Sequence, residues 1–347
     1  MLKIKEISRQ RKALPLKTPF VTALRRVENV TFLRVKILFD DGTVSYGEAP
    51  ATKAITGEDL DDISASIESV IPLLNGLNAV EALDVLHAQN IGSSAKAALD
   101  MALFFKTNRL NVLENSPIKT DITISLNEEP KMLEDAQKAL KDGYDILKVK
   151  LGSDIEHAIN VTLRLANEFP DALLLIDANQ AWNTEGALEY VNAVDGVQIE
   201  LIEQPVKADD LEGLKRITAA SSIAILADEA AFSLEDVKNI YTLNAADMIN
   251  IKLMKCGGVS KAVEILEYAR EKNISCMLGS MLEGPISIEA AYRLAFAYRD
   301  VIKYVDLDSP LLYAETPSRV GDFAINRNQI KPRIPAKSEA AKIPIFA

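Results

Sequence analysis

The sequence predicts an α/β protein in which a closed (β/α) barrel follows an N-terminal α+β domain. From residue 121 onward, eight short apolar segments alternate with amphipathic stretches of helix length. This alternation is typical of parallel strands joined by crossover helices, and eight such units suffice to close a barrel. Before residue 115, three strand-like segments precede three helix-like ones, which is typical of an α+β unit.

The N-terminal domain is predicted over residues 1–115. Residues 4–11, 30–40 and 43–48 are apolar or alternating, and Asp41 and Gly42 supply a hairpin turn between the last two strands. Apolar residues spaced three and four apart then predict three helices, at residues 60–77, 79–88 and 94–106. The turn at residues 115–117 marks the predicted boundary.

The barrel is predicted over residues 116–310. Its eight strands are predicted at residues 121–126, 145–151, 172–178, 198–203, 223–228, 247–253, 274–279 and 303–308. The remaining segment, 311–347, is polar and rich in proline. We expect this segment to fold back onto the first domain.

Composition and charge exclude several classes of function. The net charge of -11 argues against nucleic acid binding, which needs clustered Lys and Arg. No apolar run approaches the roughly 20 residues that span a bilayer, and the start of the chain lacks the apolar stretch of a signal peptide. The two cysteines are predicted to be reduced. We therefore expect a cytoplasmic protein that has no membrane partner and can assemble as a homo-oligomer.

Polar residues interrupt five successive barrel strands near their carboxyl ends. The intervals between them are 27, 26, 25 and 24 residues, or one strand–helix unit each time. These residues should therefore lie at corresponding heights on the face where barrel active sites are found. They are Lys150, Asp177, Glu203, Asp228 and Lys252.

The three acids of this set predict a metal site. Asp177, Glu203 and Asp228 would repel one another and raise one another's pKa if they converged without a cation. Three carboxylates with open positions suit Mg²⁺, and we expect one ion per subunit. Asn179 is predicted to support these ligands from the outer shell.

The lysines predict proton transfer. Lys150 on the second strand and Lys252 on the sixth should face each other, with Lys148 beside Lys150. A substrate carboxylate on the metal would then hold its α-carbon between two amines. One lysine would remove the α-proton, the metal would stabilise the enediolate, and the other lysine would return a proton on the opposite face. The stereocentre would be inverted.

Six motifs together resemble the enolase superfamily, in its muconate-lactonizing-type branch. The resemblance covers nearly the whole chain and implies the barrel fold, the Mg²⁺ ligands and the catalytic lysines assigned above. The motifs are Tyr-Gly-Glu-Ala-Pro at 46–50, Leu-Lys-Val-Lys at 147–150, Asp-Ala-Asn-Gln at 177–180, Ile-Glu-Gln-Pro at 202–205, Ala-Asp-Glu at 227–229 and Ile-Asn-Ile-Lys at 249–252.

On the eighth strand, Asp306 and Asp308 look like the Asp-x-Asp motif with which dipeptide epimerases of this branch hold the free ammonium group of the substrate. The eighth strand lies opposite the fourth in a ring of eight, so this pair should face the metal across the barrel mouth. The resemblance implies a dipeptide substrate whose C-terminal residue is inverted. The alternative is that Asp306 and Asp308 only form part of a polar barrel rim and do not bind substrate.

Further residues are expected to contact the substrate. The Thr-Ala-Leu-Arg stretch at 22–25 resembles the capping loop of Ala-Glu epimerases, which implies that Arg25 binds the glutamate side chain. Ile55 and Thr56 match the second capping loop. Thr123, Ser280 and Glu283 are also predicted to contact the substrate. By resemblance the substrate is L-Ala-L-Glu or L-Ala-D-Glu from murein peptide.

Alternative functions remain open at this point. An N-acylamino acid racemase or an o-succinylbenzoate synthase would share every residue except the purpose of the Asp306 and Asp308 pair. A non-catalytic barrel that binds a peptide is disfavoured because three acids and three lysines are intact. A cycloisomerase would not need the Asp pair, and a histidine-based racemase lacks a His at a strand end.

Overall fold

The computed structural model describes residues 2–21, 26–110 and 115–333. Its N-terminal sheet is antiparallel, in the order β1 (Ile4–Val21), β2 (Arg26–Phe39) and β3 (Val44–Pro50). The predicted turn between β2 and β3 is present, with Gly42 at a φ of 83° that favours glycine. Strand β1 runs ten residues further than predicted, because pairing with β2 satisfies its backbone although many of its side chains are exposed.

Among the described residues, four helices complete the N-terminal domain. They are α1 (Lys53–Thr56), α2 (Leu60–Leu74), α3 (Ala79–His87) and α4 (Ser93–Thr107). Helix α4 is buried over most of its length and packs on β3. The two elements touch at Gly47, where an added Cβ would lie 1.9 Å from the carbonyl oxygen of Ala98. Only glycine permits this approach between strand and helix.

Eight parallel strands form the barrel, as predicted. They are β5 (Ile122–Ile124), β6 (Ile146–Lys150), β7 (Leu173–Asp177), β8 (Leu201–Glu203), β9 (Ala224–Ala227), β10 (Met248–Lys252), β11 (Ser275–Gly279) and β12 (Ile302–Asp306). The sheet order follows the chain from β5 to β12. The backbone amide of Asp121, just before β5, donates to the carbonyl of Val305 on β12 at 3.1 Å and links the two end strands.

Helices cover the outside of the barrel. They are α5 (Glu129–Lys141), α6 (Ile155–Glu168), α7 (Thr184–Ala193), α8 (Leu211–Ala220), α9 (Leu234–Leu243), α11 (Val259–Lys272) and α12 (Pro285–Ala297). The short helix α10 (Leu253–Cys256) directly follows β10 and packs on α4 and α11. Within the described ranges, no helix has the length and apolar character needed to cross a membrane.

One apolar layer fills the barrel interior beneath the polar strand ends. Several of its members stand two residues before a polar residue on the same strand and so share its face. Leu175 precedes Asp177 in this way, and Leu201 precedes Glu203. The layer consists of Leu175, Leu201, Leu226, Met248, Met277 and Tyr304. It separates the functional side chains from the lower end of the barrel.

The segment after the barrel contacts both domains. Helix α13 (Ser309–Leu312) is followed by β13 (Arg319–Val320), β14 (Phe323–Asn326) and β15 (Gln329–Pro332), and β15 pairs with β4 (Ile118–Lys119) in a four-stranded antiparallel sheet. Tyr313 forms a bridge to Leu16 on β1. The proposed boundaries at 115/116 and 310/311 stay predictions.

Candidate active site

A pocket opens at the carboxyl ends of the barrel strands, and the N-terminal domain covers it. Phe20, Ala54 and Ile55 reach it from that domain. Eight predicted site residues lie in its wall: Ile55, Thr123, Lys150, Asn179, Lys252, Ser280, Asp306 and Asp308. The strand ends on which the sequence places chemistry therefore share one cavity with a capping segment of the first domain.

The three predicted metal ligands lie on adjacent strands. Asp177 is the last residue of β7, Glu203 is the last of β8, and the two are register partners. Asp228 directly follows β9. All three are at most 1% exposed, because parallel strands in register bring their carboxyl ends to one height inside the barrel.

Lys148 joins these acids to the opposite side of the barrel. Its Nζ lies 2.6 Å from Oε2 of Glu203 and 3.2 Å from Oδ2 of Asp177. The same atom lies 2.5 Å from Oδ2 of Asp306. One fully buried ammonium group therefore contacts carboxylates of β7, β8 and β12 and offsets part of their charge.

The other two predicted lysines stand on opposite sides of the acids. Lys150 Nζ donates to Oδ2 of Asp177 at 2.5 Å, and Lys252 Nζ donates to Oδ2 of Asp228 at 2.6 Å. Lys150 ends β6 and Lys252 ends β10, four strands apart in the ring. Both line the pocket, so a ligand between them meets an amine on each face.

These ion pairs affect the pKa values of the three acids differently. Burial opposes ionisation of Asp177, but Lys150 and Lys148 prevail and lower its pKa to about 2. Lys252 and Lys255 likewise overcome burial and hold the pKa of Asp228 below its usual range. Burial and the charge of Asp177 raise the pKa of Glu203 to about 8. Added positive charge at this point would favour its ionised form.

The donor set at these strand ends fits a hard divalent cation. It consists of three buried carboxylates on neighbouring strands, beside a buried amide oxygen, Oδ1 of Asn179, for which the described residues provide no hydrogen-bond partner. Carboxylate and amide oxygens are the ligands that Mg²⁺ prefers. The residues present therefore match the ion that the sequence predicts.

A second group of acids lies under the other end of the pocket. Carboxylate oxygens of Asp121, Asp306 and Asp308 lie within 4.8 Å of one another, close enough to hold a metal ion. Oδ2 of Asp308 accepts the backbone amide of Thr123 at 2.9 Å. Burial and the charge of Asp306 raise the pKa of Asp308 to about 6. This end of the site therefore carries excess negative charge.

Four other predicted contact residues have different surroundings. Ser280 lines the pocket and its amide donates to the carbonyl of Asp306 at 3.0 Å. Thr56 turns towards α4, where it accepts a hydrogen bond from Ser94 Oγ at 3.0 Å. Glu283 is buried and accepts the amide of Met281 at 2.9 Å. Arg25 lies outside the described residues.

Sequence reasoning missed two buried charges. Nζ of Lys255 on α10 lies 2.6 Å from Oδ1 of Asp228 and donates to the carbonyl of Asn250 at 2.8 Å. Its position one helical turn after Lys252 was the available signal. Asp121 lies two residues before Thr123, which should have placed both side chains on one face.

Glu229 lines the pocket, and its two buried carboxylate oxygens have no hydrogen-bond partner among the described residues. Burial and the charge of Asp228 raise the pKa of Glu229 to about 7. Glu229 therefore adds to the pocket wall a buried carboxyl group without a hydrogen-bond partner among the described residues.

Comparison with known proteins identifies the family of the chain. Residues 131–333 match the family model described as enolase C-terminal domain-like. The L-amino acid-D/L-Glu epimerase of Sulfurimonas denitrificans is 53% identical, over 95% of this chain and 100% of that protein.

Two solved structures share the fold closely. The substrate-liganded L-Ala-D/L-Glu epimerase of Bacillus subtilis superposes with a TM-score of 0.89 at 35% identity, over 95% of this chain and 96% of that one. The dipeptide epimerase of Enterococcus faecalis, in complex with Mg and L-Leu-L-Tyr, gives 0.87 at 33% identity, over 95% and 97%. The chain therefore belongs to the enolase superfamily and, within it, to the family of these dipeptide epimerases.

Proposed function

We propose that this protein is a Mg²⁺-dependent dipeptide epimerase that inverts the α-carbon of the C-terminal residue of its substrate. The observation that carries the proposal is the division of the pocket into two charged ends. At one end, Lys150 and Lys252 lie beside the acids that fit a metal ion. Asp306 and Asp308 form the other end. A dipeptide has a carboxylate at one end and an ammonium group at the other, so its charges match this division.

The substrate would span the pocket in a single orientation. Its carboxylate would lie beside Asp177, Glu203 and Asp228, where the bound cation reverses the local charge. Its ammonium group would lie beside Asp306 and Asp308, which are buried and carry one lysine between them, Lys148. An uncharged N-acyl group would leave these carboxylates without a cation, which is costly in a buried site. This argues against the N-acylamino acid racemase and o-succinylbenzoate synthase alternatives.

Proton transfer would use the amines of Lys150 and Lys252. With the α-carbon between them, the neutral amine accepts the α-proton and the ammonium group on the other face donates one. Mg²⁺ would supply positive charge at the substrate carboxylate and so stabilise the charge that develops when the α-proton leaves. Lys148 would offset part of the negative charge of the surrounding carboxylates. The N-terminal domain covers the pocket and would exclude water.

We propose Ala-Glu as the dipeptide, with support from the names of two relatives. The relatives from Sulfurimonas denitrificans and Bacillus subtilis are both named for epimerising D/L-Glu. The Enterococcus faecalis relative was solved with L-Leu-L-Tyr, so the family spans different side chains. We propose that Arg25 binds the glutamate carboxylate and that murein peptide is the source of the substrate. A cytoplasmic location and assembly into a homo-oligomer also stay predictions.

Hydrogen exchange tests the reaction directly. The protein would be incubated with Mg²⁺ and L-Ala-L-Glu in D₂O while NMR follows the glutamate α-proton. We expect this proton to be replaced by deuterium while the L-Ala-D-Glu diastereomer accumulates. Lys252→Ala should abolish accumulation of the diastereomer, and Lys303→Ala, which removes an exposed lysine of β12, should leave both signals unchanged.

Other outcomes would redirect the proposal. Exchange with other dipeptides but not with Ala-Glu would retain the reaction and discard the role of Arg25. Turnover of N-succinyl amino acids without exchange of any dipeptide would overturn the assignment of Asp306 and Asp308.

A further inference from the structure

Asp121 is a buried carboxylate without an evident structural role. The residue is 0% exposed, and neither side-chain oxygen has a hydrogen-bond donor among the described residues. Burying a carboxylate without a partner is strongly unfavourable. Its backbone amide already joins the barrel ends by bonding to Val305, and any residue except proline could supply that bond. The carboxylate itself is therefore what needs an explanation.

The carboxylate of Asp121 is directed at the pair on β12. Its oxygen and those of Asp306 and Asp308 all lie within 4.8 Å of one another. An atom placed among three oxygens at such separations can lie within about 2.8 Å of each, which is the length of a charge-assisted N–H···O bond. A primary ammonium group has three N–H donors. The cluster therefore offers one acceptor for each donor.

We propose that Asp121 is the third carboxylate of the subsite that binds the free α-ammonium group of the substrate. This inference rests on the proposed function and extends it. Asp306 and Asp308 line the pocket, whereas Asp121 lies behind them. The ammonium group would enter between Asp306 and Asp308 and contact Asp121 behind them, while the rest of the dipeptide stays in the pocket.

Charge supports a cationic ligand at this position. Burial and the charges of Asp306 and Asp308 raise the pKa of Asp121 well above its usual range. Among the described residues, the cation in contact with the cluster is Lys148, which Glu203 and Asp177 share. A substrate ammonium would supply the missing positive charge. An N-acylated peptide would not, so Asp121 would add to the discrimination between free and blocked amino termini.

The test is Asp121→Asn, which preserves size and removes the charge. We expect KM for L-Ala-L-Glu to rise by about tenfold to a hundredfold, with a smaller change in kcat, because one charge-assisted bond to the substrate is lost. For N-acetyl-L-Ala-L-Glu, which lacks the ammonium group, KM in the variant should equal that of the wild type. The melting temperature should stay the same or rise, because repulsion within the cluster is relieved.

A matched control is Asp100→Asn. Asp100 is equally buried but accepts hydrogen bonds from Ser260 and pairs with His87 at 2.8 Å, so its replacement should lower the melting temperature and leave KM unchanged. The proposal is overturned if Asp121→Asn raises KM equally for both substrates, or leaves KM for L-Ala-L-Glu unchanged. It is also overturned if calorimetry finds a second Mg²⁺ per chain that Asp121→Asn removes. Absence of dipeptide turnover in the wild type would instead contradict the proposed function.

Discussion

The ammonium group of Lys148 lies 2.5 Å from Oδ2 of Asp306, on strands that flank β5. Lys148 also contacts Glu203 at 2.6 Å. It is therefore the cation that the two acidic ends of the pocket share. Its charge reduces the repulsion among carboxylates at both ends.

Replacing this shared cation should destabilise the metal-free protein. Lys148→Met keeps the length of the side chain but removes the ion pair of buried Asp306 and weakens the charge compensation of Glu203 and Asp177. We expect the free energy of unfolding to fall by about 3 kcal/mol or more, as when one partner of a buried ion pair is removed. Urea unfolding at about pH 8, where the carboxylates tend to ionise, measures this. Lys303→Met is the matched exposed control; an equal loss in both variants would contradict the shared-cation role.

The two pocket lysines should act on opposite faces of the substrate. Lys150 and Lys252 lie four strands apart in the ring, so each amine reaches one face of the α-carbon. We expect Lys150→Ala and Lys252→Ala each to slow epimerisation by at least about a hundredfold. In D₂O, each variant should still exchange the α-proton of one diastereomer, and the two should differ in which. Exchange of the same diastereomer by both variants would contradict opposed bases.

Removing the metal should abolish turnover. We expect activity to disappear with a chelator and to return with added Mg²⁺. Asp228→Asn should weaken Mg²⁺ binding by more than about tenfold, because losing even a residue that orients a ligand has an effect of about that size. Calorimetric titration with Mg²⁺ measures the affinity without requiring turnover. Asp195→Asn, on the surface, should bind as the wild type does, and equal affinity in all three proteins would place the ion elsewhere.

The sequence predicts the barrel well because buried parallel strands must be apolar until they reach the functional face. The observed strands β6 and β7 lie within one residue of their predicted ends. The spacing of one strand–helix unit then locates Asp177 and Glu203 at one height. These features depend on local pattern and on the regular repeat, both of which can be read from one chain.

Other features depend on packing that no local pattern encodes. The extension of β1 to Val21 follows from pairing with β2. The buried position of Lys255 follows from the turn of α10 beneath Asp228. Asp121 acquires its neighbours only when β5 meets β12 at barrel closure. Charge clusters made by strands distant in sequence are therefore the part of the site that the structure adds.

Dipeptide binding should weaken in mild acid. Burial and the charge of Asp306 raise the pKa of Asp308 to about 6. Below that pH, Asp308 gains a proton and loses its charge, so KM for L-Ala-L-Glu should rise as the pH falls from about 7 to about 5. Lys148, which contacts Asp306, and the amide of Thr123 oppose the shift but do not reverse it.

A variant separates this effect from other titrations in the pocket. Asp308→Asn cannot titrate at this position, so its KM should already be high at about pH 7 and should rise less towards about pH 5. N-Acetyl-L-Ala-L-Glu has no ammonium group for Asp308 to bind, so its KM in the wild type should not show this rise at low pH. Steady-state kinetics across this range measures both. A KM that is flat in the wild type, or that rises equally in Asp308→Asn, would show that ionised Asp308 does not hold the ammonium group.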